Sequence, residues 1–310
     1  TKIYEQRNRI FVKEDLSGDV AEMLDNEVTK RVEVGLADEE GPWRLLAWLD
    51  QVQPAFDSKN GLFPSYGFKL LLSEINPSDI RQSTLDLVAK SIEAEYAHAM
   101  RAIETMIEKT GESLETQIAE REDNLDAFFQ TLGDREDAPK AQKLMEEINS
   151  LTRLAIRPSN DLLKKLADDP DDAKDDIQEM IAGQLTIISA TRVIGAIQNR
   201  IGEQIQWQNP LPSDWDDLSD ILLNTSREAF DKKRERLNAQ VARDIDVLLQ
   251  REDVSTESGR LRLLITLSQG TRTAFDQRTH KQIKQVFTRF AYAFRAAQLL
   301  DGREAEDIAD

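Results

Sequence analysis

Between Asp172 and Gln206 the chain sets Ile177, Ile181, Leu185, Ile188, Ile194, Ile197, Ile201 and Ile205 on one side of a helix. Spacings of three and four residues sustained over that length specify an amphipathic helix, because a strand sends successive side chains to opposite faces. The same period recurs elsewhere. Leu85, Val88, Ile92, Tyr96, Ala99, Ile103 and Ile107 mark the buried face of a long helix that starts after the turn residues "NPSD". Leu237, Val241, Ile245 and Leu248 mark another within 216–250. Trp43, Leu46 and Leu49 follow Pro42, which suits a first helical turn. Residues 2–35 read as one or two helices, with Asp15 and Ser17 as caps for a second start. Residues 52–78 read as a packed loop with one short helix. Residues 111–167 read as three shorter helices with breaks near Gly111, Gly133 and Pro158. Alternating β-branched runs are almost absent, so sheet is not expected to matter. The expected fold class is all-α.

Composition narrows the function. The chain has 310 residues and a net charge of −18, so phosphate backbones and anionic headgroups repel its surface as a whole, and no nucleic-acid partner is expected. It has no cysteine, which excludes disulfides, thiolate metal sites and cysteine nucleophiles. The two histidines, His98 and His280, have no second ligand at metal-binding spacing. No glycine-rich phosphate loop and no G-x-S-x-G elbow occurs. The acidic runs at 38–40 and 168–176 lack the loop pattern of a calcium site, and the second reads as charge at a helix N-terminus. No catalytic, cofactor-binding or metal residue is therefore assigned. The most apolar run, "MIAGQLTIISATRVIGAI", is interrupted by Gln184, Thr186, Ser189, Thr191 and Arg192, and no transmembrane segment or signal peptide is expected. The chain opens with Thr1 inside a helical pattern, as a piece of a larger protein would.

One stretch departs from the acidic background. "QGTRTAFDQRTHKQIKQVF", 269–287, holds five basic positions counting His280, and a single acid, Asp276. With "RLRLLITLSQG" (260–270) before it and "HKQIKQVFTRFAYAFRAAQLL" (280–300) after it, it is expected to turn a terminal αα-hairpin. Two readings fit the residues: a solvated loop whose cations balance an acidic surface, or a protruding tip in which an apolar anchor flanked by donors grips a partner.

Several segments resemble SecA, the ATP-driven motor of bacterial protein secretion. "KIYEQRNRIFVKEDLSGDVAEM" resembles the end of that family's long helical-scaffold helix. "GPWRLLAWLDQV" is similar to the entry into its helical wing domain, and "STLDLVAKSIEAEYAHAM" to the exit. "REAFDKKRERLNAQVARDIDVLLQ" resembles the helix that follows. "LSQGTRTAFDQRTHKQIKQVFTRFAYAF" is similar to the two-helix finger, with Phe275 at the tip aromatic and Gln277 at its neighbouring glutamine. Thr279-His280 stand where the family has Asp-Pro, and the first finger helix lacks its Trp-x-x-His-Leu motif.

The resemblance implies a helical scaffold end at 1–40, an enlarged, elongated helical wing at 41–226, and further scaffold with the two-helix finger at 227–310. It implies a non-catalytic fragment, ATP and Mg being held by upstream ATPase domains of the parent protein. Implied partners are those domains, a preprotein chain and a SecY-type channel. Implied contact residues are Arg272, Phe275, Gln277 and Arg278, and the implied location is cytoplasmic, peripheral to the inner membrane. The alternative is a free-standing all-α adaptor that binds partner helices. A helical hydrolase using the carboxylate clusters with a metal ranks a distant third.

Overall fold

A computed structural model describes residues 4, 15–37, 41–59, 61–132, 140–276, 278, 281–301, 303 and 308. Helices dominate, as the periodicity requires. In chain order they are α1 (Ser17–Gly35), α2 (Gly41–Val52), α3 (Tyr66–Ser73), α4 (Ile80–Leu132), α5 (Ala141–Thr152), α6 (Asn160–Asp168), α7 (Pro170–Ile201), α8 (Trp215–Arg251), α9 (Glu257–Ser268) and α10 (Ala293–Asp301). Two antiparallel pairs of strands accompany them: β1 (Phe56–Ser58) with β2 (Gly61–Phe63), and β3 (Gln269–Asp276) with β4 (Lys281–Thr288). The chain forms two compact units, 1–97 with 234–310, and 98–233.

In the first unit, Leu45 and Leu46 of α2, Leu70 and Leu71 of α3, Leu87, Val88 and Ile92 of α4, Leu237, Val241, Ile245 and Leu248 of α8 and Leu263, Leu264 and Leu267 of α9 share one core. Phe290, Tyr292, Ala296 and Leu300 complete it. The helical stripes read from the sequence thus point inward as expected. The β1–β2 hairpin stacks Phe56 on Phe63 and is tied to α9 by Leu62 N–H, which donates to Ser258 Oγ at 3.0 Å. Gly61 turns that hairpin at φ 125°, a left-handed conformation that glycine adopts without steric cost. Trp43 stacks on Phe294 with ring centroids 4.7 Å apart, and Arg31 lies 4.8 Å over Trp48. Both tryptophans are packing residues.

The second unit is built around Leu114, Leu125 and Phe129 of α4, Leu144, Met145 and Ile148 of α5, Leu162 and Leu166 of α6, and Ile177, Ile181 and Leu185 of α7. Further along α7, Ser189, Ala190 and Val193 take buried positions that the isoleucine count had given to Ile188 and Ile194. An 18-residue window of α7 has a mean hydropathy of 1.5 and is 33% buried, so by length and composition the helix is apolar enough to cross a bilayer. The acidic run that precedes it works as a helix start. Asp169 caps α7 by accepting from Asp171 N–H and Asp172 N–H, Pro170 opens the first turn, and Lys165 bridges to Asp172 and Asp176. The acidic run at 38–40 lies outside the described residues.

Two local expectations need correction. Residues 269–288 are strands, treated with the site below. Gly111 does not end a helix: α4 runs through it from Ile80 to Leu132. A Cβ at that position would stand 2.6 Å from Trp215 Nε1, so the glycine makes room for an indole. Helix propensity alone charges glycine about 1 kcal/mol against alanine, and packing overrides that preference here. Gly195 in α7 is the opposite case, since an added Cβ would meet nothing within 4 Å. Gly195→Ala is expected to stabilise the chain by about 0.4–1 kcal/mol, whereas Gly111→Leu lowers the melting temperature. Thermal unfolding followed by circular dichroism checks both; a Gly111→Leu chain that melts no earlier than wild type contradicts the packing account.

Candidate functional site

The stretch 269–287 forms a two-stranded ribbon, not an αα-hairpin. β3 and β4 pair in register from Gln269 opposite Thr288 to Asp276 opposite Lys281, and no third strand joins them among the described residues. The reason is local. Thr271, Thr273, Phe275, Ile283, Val286, Phe287 and Thr288 favour extended backbone, and few neighbours compete to impose a helix. α9 therefore ends at Ser268, and the second helical arm expected over 280–300 contracts to α10, Ala293–Asp301.

An isolated pair of strands is marginally stable in water, so the ribbon relies on its base. Arg289 N–H donates to Ser268 C=O at 2.7 Å, closing the ladder where the strands leave the core. The Arg289 guanidinium, nearly buried, donates from Nη1 to Asp244 Oδ2 at 2.7 Å across to α8. Ala291 N–H donates to Glu95 Oε2 on α4 at 2.7 Å. Phe290 and Tyr292 are buried and meet edge to face, and Tyr292 O–H donates to Leu264 C=O at 3.1 Å. Hydrogen bonds, one ion pair and two aromatic anchors thus hold residues 289–292. Each anchor contributes about 1.5–3 kcal/mol on burial.

The ribbon itself lies open. All eight residues of β4 are exposed. The pairing register sorts its side chains onto two faces, since partners across a ladder share a face and neighbours along a strand do not. One face presents Thr271, Thr273 and Phe275 with Val286, Lys284 and Gln282; the other presents Arg272 and Ala274 with Phe287, Gln285, Ile283 and Lys281. Phe275, Val286, Phe287 and Ile283 are all large apolar residues left exposed. Arg272 lies 5.9 Å over the Phe287 ring and donates from Nε to Gln285 Oε1 at 3.0 Å. Phe287 also packs so closely on Gly270 that a Cβ there would fall 2.6 Å from the ring, which explains the glycine. Lys281 lies opposite Asp276 in the ladder and Lys284 opposite Thr273, both lysines exposed. Beside the base, Gln240, Asp244, Val247 and Arg251 of α8 face Thr271 and Phe287 across an open cleft of about 530 Å³.

The structure distributes the residues picked from sequence differently from a single tip cluster. Phe275 is near the end of the ribbon, 61% exposed. Arg278 is exposed in the turn. Arg272 sits back from the tip and on the face opposite Phe275, because three steps along a strand reverse the side chain. Gln277 and His280 lie outside the described residues. Sequence reading missed Ile283, Val286 and Phe287 as contact residues and Arg289, Phe290 and Tyr292 as the anchor. The signal was present in "TRTAF" and "KQIKQVFT", where Thr271, Thr273 and Phe275, and Ile283 and Phe287, recur at even spacing.

Other concave places have less to offer. An open cleft of about 360 Å³ on the first unit is lined by Glu27, Arg31, Arg44 and Trp48, and Arg31 there is already paired with Glu27 at 2.7 Å. A groove of about 620 Å³ on the second unit is lined by Lys109, Ser113, Arg192 and small neighbours from α4 and α7. No pairing of nucleophile with base occurs in either lining.

Comparison of the chain with family models, curated proteins and solved structures returned no match.

The anchor also sets a response to pH. Burial pushes the Tyr292 phenol well above its ordinary range, outweighing the opposing pull of Arg289. The folded chain therefore keeps the phenol neutral, while the unfolded chain releases the proton near pH 10. This contribution is fully present below about pH 10 and is lost as pH rises toward the folded value. Urea unfolding of wild type and Tyr292→Phe between about pH 8 and pH 11 is expected to show a steeper alkaline loss in wild type. Parallel curves would mean that the phenol is not buried as described.

Proposed function

We propose that this chain is a non-catalytic, polypeptide-contacting part of a SecA-like protein translocase, in which the ribbon meets the moving preprotein and the helices relay motion from ATPase domains elsewhere in the parent. The observation that carries the reading is the ribbon: a cationic, apolar-tipped pair of strands on an acidic protein, exposed along β4 and anchored at its base. Apolar and planar cationic side chains suit an extended chain of varied sequence. Phe275 offers contact that does not depend on sequence, and Arg272 and Arg278 can donate to backbone carbonyls. In a SecA-like parent the module works at the cytoplasmic side of the inner membrane against a SecY-type channel, with ATP and Mg bound upstream. The order of the sequence segments along the chain supports this assignment. Helices suit the relay because their hydrogen bonds are internal and their rise per residue is fixed.

The second reading is an adaptor that binds partner proteins outside secretion. It is favoured by one observation: β3–β4 is a strand pair where the resemblance implies two helices.

A photoreactive phenylalanine analogue at position 275 of the parent protein separates the two. The expected outcome is a crosslink to a translocation-arrested preprotein, with Phe275→Gly lowering translocation several-fold at unchanged melting temperature. Wild-type translocation by Phe275→Gly, together with crosslinks only to proteins unrelated to secretion, would favour the adaptor. ATP hydrolysis by the isolated chain would contradict the non-catalytic reading.

A further inference from the structure

The ribbon is an open-edged sheet, and its backbone decides which edge groups are available. The bond from Arg289 N–H to Ser268 C=O fixes the phase of the ladder, because hydrogen-bonded and non-hydrogen-bonded pairs alternate in an antiparallel pair. Gly270/Phe287, Arg272/Gln285 and Ala274/Ile283 then bond each other, and the peptide groups of Gln282, Lys284, Val286 and Thr288 point outward from β4. The side chains of β4 add a second kind of information. Lys281, opposite Asp276 in the ladder, and Lys284, opposite Thr273, are exposed in a chain of net charge −18. Between and beyond them stand Ile283, Val286 and Phe287, also exposed.

We propose that the outer edge of β4 receives an extended partner segment as a third strand, and that the segment carries carboxylates opposite Lys281 and Lys284 and apolar side chains opposite Ile283, Val286 and Phe287. Main-chain bonds supply affinity in such additions and alternate side chains supply selectivity. Charge complementarity identifies the occupant. Lysines on an edge strand repel a second copy of the same strand and attract an acidic one. The nearby apolar residues exclude a purely polar acidic tail as the preferred partner, since they would be left in water. The inference rests on the polypeptide-contact reading above and adds to it the edge, the backbone register and the chemistry of the bound segment.

The test uses the full chain and three fluorescein-labelled peptides with apolar residues opposite Ile283, Val286 and Phe287 and Glu, Gln or Lys opposite Lys281 and Lys284, read by fluorescence anisotropy at low and high salt. The Glu peptide is expected to bind about tenfold or more tightly than the Lys peptide, since like charges opposite each other destabilise a strand pair. That preference should shrink at about 1 M salt, where screening is nearly complete. A Glu peptide N-methylated on alternate residues along its pairing edge should lose binding, and Val286→Pro should lose it too, because proline removes an outward N–H without touching the ladder. Hydrogen exchange should slow at Lys284 and Val286 on peptide addition. Equal binding of the N-methylated peptide, or preference for the Lys peptide, overturns the proposal. If no peptide binds while position 275 still crosslinks to a preprotein, strand addition is wrong and the polypeptide-contact reading stands; if both fail, that reading falls with it.

Discussion

Two strands alone are marginally stable in water, and the ribbon of this protein depends on the short segment that follows it. Residues 289–292 carry the ion pair to Asp244, the backbone bond to Glu95 and the buried rings of Phe290 and Tyr292. Each contact reaches a different element: α8, α4 and α9. Arg289 Nε is buried with no hydrogen-bond partner, so the guanidinium's position rests on Asp244. Removing that carboxylate would leave a nearly buried cation uncompensated, which costs more than the loss of one surface pair. The open ribbon is thus a consequence of a closed base.

The same logic explains why an acidic chain keeps its cations here. Elsewhere, arginine and lysine side chains are paired across helices: Arg81 with Asp246, Arg234 with Glu93, Arg227 with Glu104, Lys174 with Asp126, Arg295 with Glu74. These pairs tie helices together and spend their charge locally. In the first of them, the Arg81 guanidinium holds the Asp246 carboxyl below its ordinary range by hydrogen bonding. Lys281 and Lys284, by contrast, project from an exposed strand, Lys281 opposite Asp276 in the ladder and Lys284 opposite Thr273. Exposed surface pairs contribute little to stability, so this difference matters for recognition more than for folding.

The helical architecture was legible from residue spacing because the stripes at Leu85–Ile107, Ile177–Ile201 and Leu237–Leu248 repeat the helical period many times over. The ribbon was not, for two physical reasons. Its strands have no buried face, so no clean alternation of apolar and polar residues marks them: Ile283 and Phe287 lie on one side, Val286 and Phe275 on the other. Short segments of mixed polarity fit either a polar helix or an exposed strand, and β-branched content is then the better guide. Gly111 misled for the opposite reason. Low helix propensity marks it as a stop, whereas its role lies in a contact with Trp215 more than a hundred positions away in the chain. The resemblance to a two-helix finger groups Arg272, Phe275, Gln277 and Arg278 at one tip. A strand separates Arg272 from Phe275 by its pleat alone.

An exposed, unprotected strand edge invites association with any other edge, and proteins that keep one must limit what it accepts. Here the limitation is built from the residues that would do the binding. Two copies of β4 brought edge to edge would place lysines of like charge close together, and the rest of each copy would add repulsion between two acidic bodies. A neutral apolar strand would find Ile283, Val286 and Phe287 but bring no carboxylate to Lys281 or Lys284. A segment with a carboxylate and an apolar residue on each face, the carboxylates opposite Lys281 and Lys284 and the apolar residues opposite Ile283, Val286 and Phe287, satisfies both sets at once. Affinity for extended chains and resistance to self-assembly therefore arise from one arrangement, and the anchor at 289–292 holds that arrangement away from the helical core where a partner can reach it.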